Sequence, residues 1–277
     1  MTTWISAVAA MVAVAAAVRS TWSPCGLSML STITPLSERA RGHSYRATTT
    51  WFVVGATGGG LTIGVVMALL AGGVGALHLS STTLGSVAIG AVLVACGSDL
   101  GIGGFRLPIH HRQVNERWLD HYRPWVYGAG FGWQIGTGVA TYITTSAVYL
   151  MVTLGALTTN PAVALALGTG FGTLRGLAVL LTRKLSTPTE LLAFHRHFAE
   201  AGPTVGRAVV AVEAAVTFML VGYVWSPITM IVFGGLAGIA LIAALVVRWR
   251  AASPSGPGEG DLLPHEVLRP DYSDRPA

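Results

Sequence analysis

Apolar stretches of membrane-spanning length recur seven times along the chain, separated by short polar gaps. About 20 apolar helical residues cross the roughly 30 Å hydrocarbon core of a bilayer, so each stretch predicts a transmembrane helix. The predicted spans are Trp4 to Thr34, Thr50 to Leu77, Leu84 to Phe105, Val126 to Leu157, Val163 to Thr182, Gly206 to Trp225 and Ile228 to Val247. The pattern therefore predicts an all-α, polytopic membrane helix bundle.

Arginine and lysine cluster in alternate gaps between these spans. The gap after the first span holds Arg39, Arg41 and Arg46, and further basic clusters follow the third and fifth spans. Because short basic loops stay in the cytoplasm, the pattern predicts a cell-membrane protein with its N-terminus outside and its C-terminus cytoplasmic. The net charge of +5 then reflects orientation and contact with anionic inner-leaflet lipids, not nucleic acid. The composition of residues 251–277 predicts a disordered cytoplasmic tail.

A short pattern occurs twice at nearly constant spacing. Residues 57–60, Thr-Gly-Gly-Gly, match residues 169–172, Thr-Gly-Phe-Gly, at a shift of 112, and Gly26 matches Gly136 at a shift of 110. Duplication of a three-helix unit predicts two inverted repeats, because an odd number of crossings turns the second copy over. Helix packing through small residues explains the same glycines without any repeat, so both explanations stay open.

Duplication also predicts how the chain is divided. The membrane domain covers residues 1–250, with repeat one at about 4–105, repeat two at about 126–225 and an additional C-terminal helix at about 228–247. Transporters built from inverted repeats hold their substrate near the membrane midplane, where paired helices are irregular. The helices paired by this repeat are the first and the fourth.

Both of these spans carry signals of irregularity. The first is 31 residues long, which as one helix reaches about 46 Å and exceeds the hydrocarbon core. Pro24 removes a backbone donor inside it and Gly26 adds conformational freedom, so a helix break is predicted there. In the fourth span, Gly132, Gly136 and Gly138 around Gln134 predict a second flexible, polar point. Gln134 and Gly136 belong to the predicted substrate pathway, together with Asp99, Arg175 and Glu213.

The segment around Pro24 resembles a known family. Residues 23–27, Ser-Pro-Cys-Gly-Leu, followed by Pro35, resemble the first-helix motif of the CcdA and DsbD transmembrane family of cytochrome c biogenesis, within the LysE-type transporter superfamily. The resemblance implies two inverted three-helix repeats, each with a thiol in its first helix. It also implies a carrier that passes reducing equivalents from a cytoplasmic thioredoxin-like protein to outward-facing partners.

The resemblance extends in part to the fourth span. Gly132 and Trp133 resemble the start of the family's Gly-Trp-Thr-Pro-Cys motif. The chain then departs from that motif, because residues 134–136 are Gln-Ile-Gly and the expected second cysteine is absent.

The chain has two cysteines, Cys25 in the first span and Cys96 in the third. The helical rise places them about 15 Å and 13 Å from the cytoplasmic ends of their spans, so both lie near the midplane. A disulfide needs Cα atoms about 4.4 to 6.8 Å apart, so they are a candidate redox pair only if the first and third helices meet there. Inert packing is the alternative. Cys25 is the better nucleophile candidate, because a helix resuming after Pro24 places it near a helix N-terminus.

Three ionisable residues at depth form a second group of candidates: Asp99, Arg175 and Glu213. Charges inside a membrane are costly and are usually functional. Arg175 and Glu213 both lie about 11 Å from the cytoplasmic ends of their spans, so direct pairing is feasible, with Asp99 as a competitor for Arg175. A gate or substrate-anion role and a role in holding helices together are both open.

The remaining polar segments add no chemistry. Histidines lie in the cytoplasmic gaps without the spacing of a compact site, so neither a metal nor a cofactor is predicted. Gln113 to Trp125 predicts an amphipathic helix on the inner leaflet, and the loop Thr189 to Glu200 is similar in character.

Enzyme motifs are missing as well, so the predicted function is transport. No nucleotide-binding, protease or hydrolase motif occurs in the sequence. The prediction is a carrier of a small solute or of thiol reducing equivalents; a redox-active form is a thiol-disulfide electron carrier. The alternative is a non-transporting structural or assembly membrane protein.

Overall fold

Every element in the described part of the chain is helical. The computed structural model describes residues 2–108, 122–140, 143 and 145–224. The α-helices are α1 (Thr2–Ser20), α2 (Pro24–Thr32), α3 (Pro35–Ala40), α4 (Tyr45–Ala76), α5 (Ser81–Leu100), α6 (Pro124–Thr137), α7 (Ala147–Leu157), α8 (Pro161–Leu177) and α9 (Pro188–Val224). Short 3₁₀ helices occupy Ile102–Gly104 and Ala178–Thr182. The all-α class is confirmed for these residues.

Five of the described helical segments are long and apolar enough to cross a membrane. They are Thr3–Ser20, Tyr45–Ala76, Ser81–Leu100, Pro161–Thr182 and Pro188–Gly222. The shorter apolar helix Ala147–Leu157 completes the predicted fourth span. The chain is thus a multi-pass membrane protein, as predicted. The predicted seventh helix, the tail and residues 113–121 of the predicted inner-leaflet helix lie outside the described residues.

The first predicted span is interrupted between α1 and α2. Helix α1 ends at Ser20, and α2 begins at Pro24. Proline suits this position because its missing N–H and fixed φ are tolerated in the first helical turn. Ser23 caps α2, since its Oγ accepts a hydrogen bond of 3.1 Å from the N–H of Gly26. The last carbonyls of α1, of Val18, Arg19 and Ser20, accept the N–H groups of Thr21, Trp22 and Ser23 at 3.1 Å each in the turn before α2.

The fourth predicted span is divided at Gly138, one of the glycines around Gln134. Helix α6 continues regularly through Gln134 and ends at Thr137. Gly138 follows with φ of +71°, a left-handed conformation that favours glycine. A Cβ at Gly138 would lie 2.7 Å from the ring of Phe171, so this helix end fits closely against α8. The irregular segment therefore begins at Gly138, and α7 begins at Ala147.

Helix α9 joins two segments that the sequence separates. The predicted loop Thr189 to Glu200 is the first part of a continuous helix that contains Pro203 and includes the predicted sixth span. Its start is well specified, because Glu190 Oε2 accepts the backbone N–H groups of Ser186 at 2.8 Å and Thr187 at 3.1 Å. At 37 residues the helix is about 55 Å long, so it extends beyond the hydrocarbon core.

The first part of α9 packs against the first interruption. Trp22 and Phe198 stack with ring centroids 4.2 Å apart, and the indole N–H of Trp22 donates to the Phe198 carbonyl at 2.6 Å. One helix turn away, Ser31 Oγ and His195 Nε2 are 3.1 Å apart. The segment Thr189 to Glu200 is therefore helical and contacts the turn that joins α1 to α2, and its position at the inner leaflet stays a prediction.

Glycines let α4 approach α6 and α8 to backbone contact. A Cβ at Gly60 would lie 2.6 Å from the Gly168 carbonyl oxygen and 2.8 Å from the Gly172 Cα, and one at Gly136 would lie 2.0 Å from the Ala56 carbonyl oxygen. Such close approach is typical of membrane helices that associate through small residues. The two Thr-Gly-x-Gly patterns thus pack against each other across α4 and α8.

Candidate functional site

Arg175 joins the ends of the two interrupted helices. It lies on α8 with only 2% of its surface exposed. Its Nη1 donates to the carbonyl of Ile135 in the last turn of α6 at 2.6 Å, and its Nη2 donates to the carbonyl of Ser20, the last residue of α1, at 3.4 Å. Each carbonyl also accepts a backbone N–H, Ser20 from Ser23 at 3.1 Å and Ile135 from Gly138 at 3.2 Å. The second lone pair of each oxygen and the partial negative charge of a helix C-terminus favour a cation. One guanidinium thus stabilises both interruptions.

The surroundings of Arg175 are aromatic and sulfur-containing. The guanidinium carbon lies 5.6 Å from the centre of the Phe171 ring, within the range of a cation–π interaction. Cys25, buried in the first turn of α2, interacts with Arg175 electrostatically. Gly26 is required beside it, because a Cβ there would lie 2.1 Å from the Thr21 carbonyl oxygen. The structure therefore brings Cys25, Pro24, Gly26 and Arg175 to one place.

The Nε of Arg175 is buried and has no hydrogen-bond partner among the described residues. A groove of about 610 Å³ between α1 and α8 runs beside the same crossing. Thr21 and Leu174, next to the residues of the crossing, line the groove together with the basic pair Arg183 and Lys184. A polar group with an unsatisfied donor thus lies near an open, mostly apolar groove.

Arg175 does not pair with Glu213 or Asp99. Among the described residues, the ion pair within 4.0 Å is Arg41 with Glu38. The similar depths of Arg175 and Glu213 in the membrane made direct pairing feasible, but depth does not define where each residue lies around the helix bundle. Arg175 instead uses backbone carbonyls, which the sequence does not reveal.

Asp99 accepts hydrogen bonds at the start of α7. The Thr145 hydroxyl donates to Oδ2 at 2.5 Å, and the Ser146 N–H donates to Oδ1 at 2.7 Å. The Ser146 hydroxyl lies within reach of both this carboxylate and the Ala95 carbonyl. The positive end of a helix dipole stabilises an ionised carboxylate in this position. Asp99 thus links α5 to the resumption of the second interrupted helix.

The two cysteines lie in different surroundings. Both are thiols; Cys25 is buried beside Arg175, whereas Cys96 is half-buried and interacts electrostatically with Glu213 and Asp99. Helix α2 packs on the 3₁₀ helix Ala178–Thr182, and α5 packs on α7 and α9. The redox pair stays a prediction. No group of three or more metal-binding side chains occurs in the described segments.

A buried cluster around Glu38 is missing from the sequence-based predictions. Glu38 is fully buried, and its carboxylate accepts hydrogen bonds from Tyr127 at 2.6 and 2.8 Å, Thr48 at 2.5 Å and Arg41 at 3.1 Å. The cluster connects α3, α4 and α6. Its only sequence signal is an acidic residue shortly after Pro35 in a basic loop, because Thr48 and Tyr127 are distant in the chain.

The chain is similar to curated proteins with one shared name. It is 29% identical over 171 residues to the methylamine utilization protein MauF of Paracoccus versutus, covering 59% of this chain and 60% of the relative. It is 33% identical over 168 residues to MauF of Paracoccus denitrificans, covering 58% of each. For MauF of Methylorubrum extorquens the identity is 29%, over 55% of this chain and 54% of the relative.

The similarity thus covers part of each protein. The chain spans between about half and three fifths of the length of these relatives. No family model and no solved structure matches the chain.

Proposed function

We propose that this chain is a CcdA-like membrane carrier that moves a small solute by alternating access. The observation that carries the proposal is Arg175, a buried cation that donates to carbonyls at the ends of two interrupted helices. Transporters use such discontinuous helices to bind substrates and ions. In the proposed orientation the N-terminus is outside, the C-terminus is cytoplasmic, and the basic loops contact anionic inner-leaflet lipid.

Reciprocal contacts support two inverted three-helix units. The first span, through α1, packs on α8, and the fourth span, through α6, packs on α4, which are equivalent contacts if the units are related by a twofold axis. The first span likewise contacts α9, and the fourth contacts α5. The equivalent pairs α4 with α8 and α5 with α9 also pack together. Such an arrangement allows one unit to rock against the other around the crossing.

In this carrier Arg175 acts as the gate. While its guanidinium donates to the carbonyls of Ser20 and Ile135, the two interruptions are held together. An anionic group of the solute competes for the same donors, because a carboxylate or phosphate forms stronger charge-assisted hydrogen bonds than a carbonyl. The groove between α1 and α8 provides the approach, and Arg183 and Lys184 attract the anion.

The names of the relatives suggest the process that the carrier serves. Proteins similar to this chain are called methylamine utilization proteins. We therefore include in the proposal that the solute moved by this chain contributes to methylamine utilization.

Thiol reducing equivalents are the second candidate cargo. The observation in their favour is Cys25, buried beside Arg175 in the motif that resembles CcdA and DsbD. Electron carriage needs a second thiol, and Cys96 is the other one in the chain. A thioredoxin-like protein is then the cytoplasmic partner.

The thiol state in intact membranes distinguishes the two cargoes. Membranes containing wild type, Cys25→Ala or Cys96→Ala protein are alkylated with a mass-tagged maleimide before and after reduction. Solute transport predicts that reduction changes nothing, because the thiols have different neighbours and stay reduced. A reducible shift that requires both cysteines would instead establish electron carriage.

A further inference from the structure

Glu213 is a buried carboxyl group without a hydrogen-bond partner. It lies on membrane helix α9 with 1% of its surface exposed, and neither carboxylate oxygen has a partner among the described residues. An ionised carboxylate that accepts no hydrogen bond in an apolar interior is strongly disfavoured, whereas the neutral acid is tolerated. The geometry therefore requires Glu213 to hold a proton in this conformation.

The charged groups around Glu213 act in the same direction. Helix α5, which packs on α9, places the carboxyl group of Asp99 and the uncharged thiol of Cys96 near Glu213. Asp99 accepts hydrogen bonds from the Thr145 hydroxyl and the Ser146 N–H at the start of α7, whereas Glu213 accepts none from the described residues. Two neighbouring carboxylates do not readily ionise together, so the proton stays on the one that lacks donors.

Helix α1 contributes a cation, Arg19, to this region. The side chain of Arg19 lies beside Gly206, where a Cβ would be 3.6 Å from the Arg19 Nε, and Arg19 interacts electrostatically with Asp99. Gly206 precedes Glu213 by seven residues on α9, about 10 Å along the helix axis. Arg19 thus lies near Asp99 and is available to Glu213 if α9 moves relative to α1, and the exposed Arg207, six residues from Glu213 on α9, is a second cation.

We propose that Glu213 is the proton-binding site of the carrier, and that its protonation is coupled to the conformational cycle. In the conformation described here the carboxyl group is neutral and buried on the side of α9 that packs against α5. When the helices move and water reaches it, the O–H bond breaks, the proton leaves to that water, and the carboxylate is stabilised by water and Arg19. This proposal rests on the proposed function and identifies the proton as the ion that drives transport.

A hydrophobic carbodiimide tests the binding site without knowledge of the solute. Dicyclohexylcarbodiimide modifies protonated carboxyl groups in apolar surroundings, and peptide mass spectrometry locates the adduct. We expect modification of Glu213 in the purified protein in lipid vesicles, at a rate that falls as pH rises. Glu213→Gln removes the adduct, and Glu190→Gln, at an exposed carboxylate of the same helix, leaves it unchanged.

Two results would overturn the proton site. An unmodified Glu213 at every pH shows that the group is not a buried acid. Protection by sodium chloride but not by choline chloride shows that the site binds a metal cation instead of a proton. Neither result depends on transport, so this site and the carrier function are tested separately.

Coupling is measured with Cys25 as a reporter in the Cys96→Ala protein. Glu213→Gln mimics the protonated acid at all pH values. We therefore expect equal rates of Cys25 alkylation at low pH, and at high pH a several-fold faster rate in the protein that retains Glu213 than in the Glu213→Gln variant. Comparison at the same pH cancels the titration of the thiol itself. Equal rates throughout would show that Glu213 does not control the conformation.

Discussion

Replacing Arg175 with alanine removes the gate and destabilises the crossing of the two interrupted helices. The carbonyls of Ser20 and Ile135 lose charge-assisted hydrogen bonds, each worth about 1.5 to 3 kcal/mol, and the buried side chain leaves a cavity. We expect Arg175→Ala to unfold at a clearly lower temperature in detergent and to expose Cys25 to alkylation continuously. Arg175→Lys keeps the charge but cannot span both carbonyls as a fork, so its effect is intermediate.

The control is Arg39→Ala, an exposed cation on α3 that lies outside the crossing and does not line the groove. It should change neither thermal unfolding nor alkylation of Cys25. If Arg175→Ala leaves Cys25 as protected as in wild type, Arg175 is not a gate. Loss of function in Arg175→Ala, with the protein present in the membrane at normal levels, would argue against the alternative of a purely structural or assembly protein.

Two glycines of α8, substituted one at a time, distinguish the effect of close helix packing on stability from the effect of helix propensity. A Cβ at Gly172 would lie 2.5 Å from both the Ala56 carbonyl oxygen and the Gly60 Cα, and these are backbone atoms that cannot rotate away. Gly170, two residues earlier, has no such atom within 4 Å. Overpacking typically costs about 1 to 3 kcal/mol, and backbone atoms give way least. We expect Gly172→Ala to lower stability by at least about 2 kcal/mol, and to separate α4 from α8.

Gly170→Ala is the matched substitution on an exposed face of the same helix. It adds the same methyl group and raises helix propensity by about 0.5 to 1 kcal/mol relative to glycine. It should be neutral or slightly stabilising in the same unfolding measurement. Equal destabilisation by the two substitutions would show that the effect comes from helix propensity and not from the contact between α4 and α8.

Local signals in the sequence predict local features well. Hydropathy predicts the long apolar helices. The first interruption lies directly before Pro24, because proline fixes its own φ angle and has no N–H to continue a helix. The close packing of helices at their glycines likewise follows from the spacing of small residues along one helix face. These features depend on residues adjacent in the chain or on one helix face.

Features that depend on residues far apart in the chain are predicted less well from the sequence. The close fit of Gly138 against the Phe171 ring depends on a residue of another helix, so the sequence around Gly138 does not reveal it. The first part of α9 stays in the bundle because Phe198 stacks on Trp22. Arg175 binds backbone carbonyls, and no pattern of side chains identifies those. Depth estimates align residues along the membrane normal but leave their positions around the bundle undefined.

The measurement that tests the central claim most directly is access to Cys25 from each side of the membrane. Cys96→Ala protein is treated with a membrane-impermeant maleimide added either outside right-side-out vesicles or outside inverted ones. An alternating-access carrier predicts slow labelling of Cys25 from both sides, and much faster labelling from both sides in Arg175→Ala. Labelling from one side only, or from neither side even in Arg175→Ala, would contradict a gate at the crossing of the interrupted helices.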